Sequence, residues 1–467
     1  MNKKASKLGK NTALMFVGNF ASRLLSFFLV PLYTYCLSTD EYGVSDLIFT
    51  TVQLLIPLLT LVASEALIRF TLDKDSNKSH IFTVSSFISG IGFLLLLIIS
   101  PFIYKYTPFS EYYCYFLAYY FVSAISLNIQ QFLKGLERIG TFVISGIINT
   151  FATIIANIIF LVILHTGISG YLIALIIGSA ASIVFSIIKE KLWRYITRIS
   201  NVDKRVWQSY LLFCLPLLPN SISWWISNSS DKYILQFFWG ASLTGIYAVS
   251  YKIPSIITTL SSIFTSAWQI SAVDDFGSDE SVKFISNVYN KYSSFYFISS
   301  SVIVFAVQPL SSILFAKEYY SAWSYSVLLI YASIFQSLAA FIGVIYTTAK
   351  KTKMIFITTM AGAIGNIILN VILIPQFGAF GAAIATLLSY IIVWFIRLID
   401  SRRIIRLTME IKRDVICYLL LIAQGIITCL NIKYYFVISF FIVAFELWLN
   451  KQICLEMITL IKRKLIK

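Results

Sequence analysis

Long apolar runs recur about every 30 residues from one end of this chain to the other, and that recurrence decides what it can fold into. A helix needs ~20 apolar residues to cross a hydrocarbon core ~30 Å thick, so the length of the chain accommodates about fourteen crossings and little else. Composition agrees, with 58% hydrophobic residues, 12% charged residues and a mean hydropathy of +0.82. A soluble domain carries about 25% charge. The expected architecture is therefore an all-α polytopic membrane protein with no soluble domain.

With the N-terminus placed in the cytoplasm, the spans read 12–36, 43–70, 81–104, 112–133, 140–164, 171–188, 208–238, 244–270, 292–315, 324–347, 355–374, 382–397, 415–431 and 434–450. The formal charge of +16 would suggest nucleic-acid binding in a soluble chain, but in a membrane protein basic residues are counted by side. On this threading the cytoplasmic segments hold 31 of the 37 Lys and Arg. Exterior loops hold Lys105, Lys317 and Lys433, and Arg23, Lys232 and Lys252 fall inside spans. The bias places both termini in the cytoplasm. "MNKKASKLGK" starts like a signal peptide, yet no small-residue cleavage pattern follows it, and it reads as a cytoplasmic tail.

Exterior connections such as "LSTDEYG" (37–43), "HTGISG" (165–170) and "PQFGAFG" (375–381) are too short to build an extracytoplasmic catalytic domain. Cys36, Cys114, Cys214, Cys417, Cys429 and Cys454 form no C-x-x-C pair, and His80 and His165 fall in connections on opposite sides. Neither a disulfide, a metal site nor a histidine proton relay is expected. No G-x-x-x-x-G-K-[ST] phosphate loop is present, so the chain does not read as an ATPase; no buried catalytic cluster is legible, so it does not read as an enzyme, and no cofactor is expected.

An internal repeat is visible in "YGVS" (42–45) against "YAVS" (247–250), and in "GISGYLIA" (167–174) against "GAFGAAIA" (378–385). A repeat of six helices returns to the side it started from, so both halves enter from the cytoplasm and are related by an axis along the membrane normal. The expected domains are an N-terminal six-helix bundle with a basic cytoplasmic linker (1–207), a second six-helix bundle (208–400), and a basic loop, an extra helix pair and a cytoplasmic tail (401–467). Two parallel repeats are a common transporter plan, with substrate held between them near the midplane.

A basic residue at the centre of a span costs roughly 2.5–3.5 kcal/mol on insertion scales, so it faces a wet cavity or a partner. Arg23 lies about eleven residues into its span, near mid-membrane at ~1.5 Å per residue. Asp231 and Lys232 interrupt span 7 in "SNSSDKYILQFF" (227–238), and Lys252 lies about two turns into span 8. Arg23, Lys232 and Lys252 are the candidate cavity cations, with Asp231 a supporting group. Glu65 and Arg69 sit at i, i+4 in the favourable order for a helical ion pair. Asp46 and Glu446 lie close to span ends and read as interfacial, while Pro31, Pro57, Pro216, Pro219 and Pro254 are placed to break or bend spans 1, 2, 7 and 8. A cavity with excess positive charge suits an anion, phosphate oxygens above all.

The stretches "SFFLVPLYTYCLSTDEYGVSDLI" (26–48) and "LPLLPNSISWWISNSSDKYILQFFWGASLTGIYAVSYKIPSII" (215–257) resemble the Wzx-type polysaccharide-unit flippases of bacteria. These belong to the superfamily that also holds multidrug exporters and lipid II flippases. The resemblance implies translocation of an undecaprenyl-pyrophosphate-linked oligosaccharide across the bacterial cytoplasmic (inner) membrane, by alternating access, for O-antigen, capsule or a related polymer. It implies that Arg23, Lys232 and Lys252 line the cavity, that membrane lipid is a partner, and that a polymerase and glycosyltransferases of the same pathway are further partners. The competing readings are a cation-coupled multidrug or metabolite antiporter of the same superfamily and a membrane-embedded transferase.

Overall fold

A computed structural model describes residues 25, 27–73, 75–271, 279–349, 351–451 and 453, and among these it contains helices and no strand. The chain divides into two compact units, Met1–Ser229 and Ser230–Lys467. The first holds α1 (Val30–Cys36), α2 (Thr39–Leu59), α3 (Ala63–Thr71), α4 (Lys78–Tyr106), α5 (Tyr113–Gly135), α6 (Ile139–Asn157), α7 (Gly167–Glu190) and α8 (Lys204–Cys214), and ends within α9 (Leu218–Ser250). The second continues with α10 (Pro254–Ser271), α11 (Asp279–Leu314), α12 (Ala322–Thr348), α13 (Thr352–Asp400), α14 (Ile411–Cys429) and α15 (Tyr435–Leu449).

Each expected span has a helical counterpart, the first represented by α1 at its C-terminal end. Among the described residues eight helices are long and apolar enough to cross a membrane. The lower number has physical causes. Two spans are counted as one along Lys353–Arg403, α9 is diluted by its polar run, and α15 has only 15 residues. This is a multi-pass membrane protein.

The loops drawn from sequence shrink to turns. Ser38 caps α2: its hydroxyl accepts from the Glu41 N–H at 3.3 Å, and the Glu41 carboxylate accepts from the Ser38 N–H at 2.8 Å. This reciprocal pair satisfies two of the amides that a helix start leaves open. Span 2 is then interrupted at residues 60–62, where Leu61 and Val62 take φ of 52° and 58°. Pro57 lies one turn earlier, and its carbonyl is taken up by the Val62 N–H at 2.9 Å.

Helices α9 and α13 are hairpins. Gly240 (φ 83°, ψ −179°) and Gly378 (φ 54°, ψ −131°) occupy backbone regions closed to L side chains, and each reverses its helix. In a continuous helix Asp231 and Tyr247 would stand ~24 Å apart, yet their side chains are hydrogen-bonded at 2.7 Å. In α13 the arms pack so closely that a Cβ added at Gly381 would lie 2.3 Å from the Leu373 carbonyl oxygen. The two tips meet: Trp239 Nε1 donates to the Ile374 carbonyl at 2.8 Å, and a Cβ on Gly378 would meet the Leu243 side chain at 3.1 Å.

The first unit is centred on Ala66, Leu67, Ile88, Phe132, Leu133 and Tyr210, where Phe82 stacks on Phe132 and Tyr210 donates to the Ala63 carbonyl at 2.6 Å. The basic segment after α7 is anchored here. Leu192 and Val202 join that core, and the Thr83 hydroxyl accepts from the Thr197 N–H at 3.0 Å. In the second unit, α14 and α15 dock on α11 through Gln424, which donates to the Ser301 carbonyl at 3.0 Å and the Ser439 hydroxyl at 2.7 Å while accepting from the Ser301 hydroxyl at 2.9 Å.

Gly381→Val should overpack the α13 hairpin and cost about 1–3 kcal/mol or more. The expected result is a clearly lower thermal midpoint in detergent. Gly140→Ala, where an added Cβ meets nothing within 4 Å, should leave the midpoint unchanged.

Candidate functional site

The polar run of α9 becomes the centre of the second unit because the hairpin folds aromatic hydroxyls onto it. Asp231 is 1% exposed. Its Oδ2 accepts from Tyr247 Oη at 2.7 Å, Tyr251 Oη at 2.9 Å and Thr386 Oγ1 at 3.5 Å, and its Oδ1 accepts from the Lys232 N–H at 2.9 Å. A buried carboxylate is tolerated only when its lone pairs are met in this way. The return arm of α9 and the second arm of α13 therefore converge on a side chain carried by the first arm of α9.

Lys232 is 8% exposed, and its Nζ lies 5.5 Å from the centroid of the Tyr251 ring, a cation–π distance. Lys252, which is half-buried, follows Tyr251 directly at a break in the helix. Residues 251–253 leave helical geometry between Ser250, the last residue of α9, and Pro254, the first of α10. The break lies about eleven residues from the Gly240 tip, ~16 Å along the arm and hence near the middle of a ~30 Å core. Its carbonyls find new donors, as lipid requires: Ser326 Oγ reaches the Ser250 oxygen at 2.8 Å, and Ser255 Oγ reaches the Lys252 oxygen at 2.5 Å.

A second layer of oxygens extends the cluster. Asn366 Oδ1 accepts from Ser230 Oγ at 3.2 Å and from Asn370 Nδ2 at 2.8 Å, and Asn366 Nδ2 donates to Ser389 Oγ at 3.5 Å. Asn366 and Asn370 were missed in the sequence reading. Their signal is an N-x-x-x-N spacing in an otherwise apolar run, which puts two amides on one face of a buried helix.

Of the residues anticipated from sequence, Asp231 and Lys232 come together around Tyr251, next to Lys252. Arg23 lies outside the described residues. Glu65 and Arg69 belong to the first unit, where both are exposed on α3. Glu65 accepts from Gln131 Nε2 of α5 at 3.4 Å, so the helical pair expected with Arg69 does not form among the described residues. The packing of α3 on α5 supplies the competing donor.

Two further charged groups depart from expectation. Glu446, read as interfacial, is fully buried beside the Ser301 hydroxyl. It shares one face of α15 with Ser439 and Asn450, and that face packs inward. Arg397, counted with the cytoplasmic charges, is 4% exposed at the end of α13. It donates to Thr358 Oγ1 at 3.0 Å, the Ala339 carbonyl at 2.7 Å and Thr359 Oγ1 at 3.1 Å, so it ties α12 to α13 through neutral oxygens.

Asp231→Leu should strand two buried tyrosine hydroxyls and cost about 3–5 kcal/mol. Asp231→Asn keeps an acceptor and should cost markedly less. Equal thermal midpoints for the two variants would contradict this account of the hairpin.

Comparison with known proteins places this geometry. Residues 8–269 match the family described as polysaccharide biosynthesis protein. A probable flippase, AglR, of Haloferax volcanii is 26% identical over 420 residues, covering 82% of this chain and 81% of that protein. Among solved structures, the lipid II flippase MurJ in an inward closed conformation superposes with a TM-score of 0.71 at 16% identity, over 97% of this chain and all of that one. An inward-facing multidrug resistance MATE family transporter gives 0.64 at 12% identity, over 82% of this chain and 95% of that one. The chain shares their fold, and by its sequence it belongs to the polysaccharide biosynthesis protein family.

Proposed function

We propose that this protein is a flippase that carries an undecaprenyl-pyrophosphate-linked oligosaccharide from the inner to the outer leaflet of the cytoplasmic membrane, in the synthesis of a surface polysaccharide such as O-antigen or capsule. The observation that supports it best is Lys252, a half-buried cation on a non-helical stretch near mid-membrane, within a family tied to polysaccharide biosynthesis. Non-helical backbone at that depth is tolerated where it is packed in protein or lines a water-filled cavity. A diphosphate leaving water for such a cavity loses hydration that ammonium and guanidinium groups replace. Arg23, Lys232 and Lys252 are the residues proposed to do so.

The relatives agree in kind, since one is named a probable flippase and another a lipid II flippase. The bias of basic residues sets the orientation, with both termini in the cytoplasm. Alternating access moves the head group through the protein while the lipid tail stays in the bilayer. Enzymes that assemble and polymerise the repeat unit are the natural partners of such a step. The MATE-like fold together with the Asp231 carboxylate favours, as second reading, a cation-coupled antiporter.

Cells lacking the protein should accumulate the diphosphate-linked oligosaccharide on the cytoplasmic leaflet and lose surface polymer. Normal polymer together with new sensitivity to cationic dyes would select the antiporter instead. In complemented cells Arg23→Ala should abolish export. Lys252→Ala and Lys232→Gln should each slow it about ten- to a hundredfold, the worth of a charge-assisted hydrogen bond of about 1.5–3 kcal/mol, at unchanged membrane content.

A further inference from the structure

The basic segment that joins α7 to α8 is fastened to the first unit along its length. Leu192 and Val202 are buried in the core, and the Tyr195 ring meets Phe132 edge to face at 5.1 Å. Between them Thr83 of α4 clamps the backbone: its hydroxyl donates to the Tyr195 carbonyl at 3.4 Å and accepts from the Thr197 N–H at 3.0 Å. The residues that this clamp leaves outside alternate in kind. Trp193, Ile196 and Ile199 are 52%, 65% and 40% exposed, and Arg194 and Arg198 are exposed between them.

The clamp also fixes the depth of these residues. Helix α4 has 29 residues and is ~43 Å long, the thickness of a bilayer with its headgroups included. Thr83 lies five residues from its start, ~7 Å inward, where the headgroup layer gives way to a ~30 Å hydrocarbon core. Residues 195–197 are held at that level, and on α8 the Trp207 ring packs edge to face on Phe87, one turn deeper on α4. Large apolar side chains held outward in water would be a liability, whereas at this boundary a tryptophan, two isoleucines and two arginines are all suitably placed.

Charge identifies the headgroup. Lys189, Lys191, Arg194, Arg198, Lys204 and Arg205 stand against two carboxylates in the same stretch. Both acids are engaged: Glu190 pairs with Arg138 at 3.3 Å, and Asp203 caps α8 by accepting from the Arg205 N–H at 2.9 Å. A zwitterionic headgroup brings a cation that needs a carboxylate here, while an anionic one brings only the phosphate that guanidinium groups match. We propose that residues 191–199 form an interfacial anchor for anionic glycerophospholipids. Trp193, Ile196 and Ile199 enter the boundary between headgroups and acyl chains, and Arg194 and Arg198 meet the phosphates above them. The assignment concerns the bulk lipid of the membrane and is independent of the flippase reading.

The test uses the full-length protein in vesicles of phosphatidylglycerol and phosphatidylcholine, with bromine on the acyl chains of one lipid or the other. The signal of Trp193 is the difference in fluorescence between the unaltered protein and Trp193→Phe. Both brominated lipids should quench it, phosphatidylglycerol more strongly, and the preference should shrink as salt is raised. The double variant Arg194→Gln/Arg198→Gln changes two exposed side chains and should keep its thermal midpoint. It should lose up to about fivefold of the preference for each charge removed, while quenching by brominated phosphatidylcholine persists. Absence of Trp193 quenching by either lipid puts the segment in water and overturns the anchor. Equal quenching by the two lipids, or a preference that survives the double variant, overturns the headgroup selection. The vesicles contain no polyprenyl lipid, so neither result is confused with binding of the proposed substrate.

Discussion

Every backbone N–H and C=O of this protein that lies in the hydrocarbon core has to find its partner within the protein, because the core supplies none. That requirement explains why helices are the only regular secondary structure spanning the apolar runs among the described residues, and it makes each departure from the helix informative. At residues 60–62 the price is two left-handed residues, at about 1–2 kcal/mol each. At Gly240 and Gly378 a positive φ costs little, because no Cβ is present. At residues 251–253 the backbone is not strained into a left-handed turn, and the freed carbonyls are met by serine hydroxyls. The first three make turns or a bend. The last holds open a stretch of backbone beside a buried acid and two lysines.

The second unit shows two ways of carrying charge inside a membrane. Arg397 is wrapped by three neutral oxygens from two helices and is confined to an architectural role. Its planar, multidentate head suits that role better than lysine would. Asp231 is also wrapped, but by tyrosines and a threonine that belong to the hairpin's own return arm and to α13. Any movement between those arms would change its hydrogen bonds, so its environment is tied to the conformation of the hairpin.

Much of this was legible in sequence, and the remainder was not for specific reasons. Spacing of apolar runs located the helices, and the depth of Asp231, Lys232 and Lys252 within them marked the polar centre. The tight turn at Leu37–Ser38 was written in the S-T-D-E capping pattern at 38–41, yet the stretch reads as a loop when only hydropathy is weighed. Partners of Asp231 lie 16, 20 and 155 residues away, beyond any local pattern. Glu446 and Arg397 were misplaced because distance from a span end measures depth along a helix and says nothing of the direction a side chain takes. Polar companions one and two turns away, Ser439 and Asn450 for Glu446, were the available clue.

The adjacency of Asp231 and Lys232 has a consequence for charge selection. Consecutive residues on a helix point about 100° apart, so the two side chains need not neutralise each other face to face. Asp231 turns to the hydroxyls of Tyr247 and Tyr251, while the long stem of Lys232 brings its ammonium to the ring of Tyr251. The acid is thus held in hydrogen bonds while the ammonium lies on an aromatic face. Lys252 adds a second basic side chain to this local set, on backbone that is already out of the helix. The acid's contribution is structural: it holds the tyrosines, and through them the hairpin, in the position where that cation sits at mid-membrane.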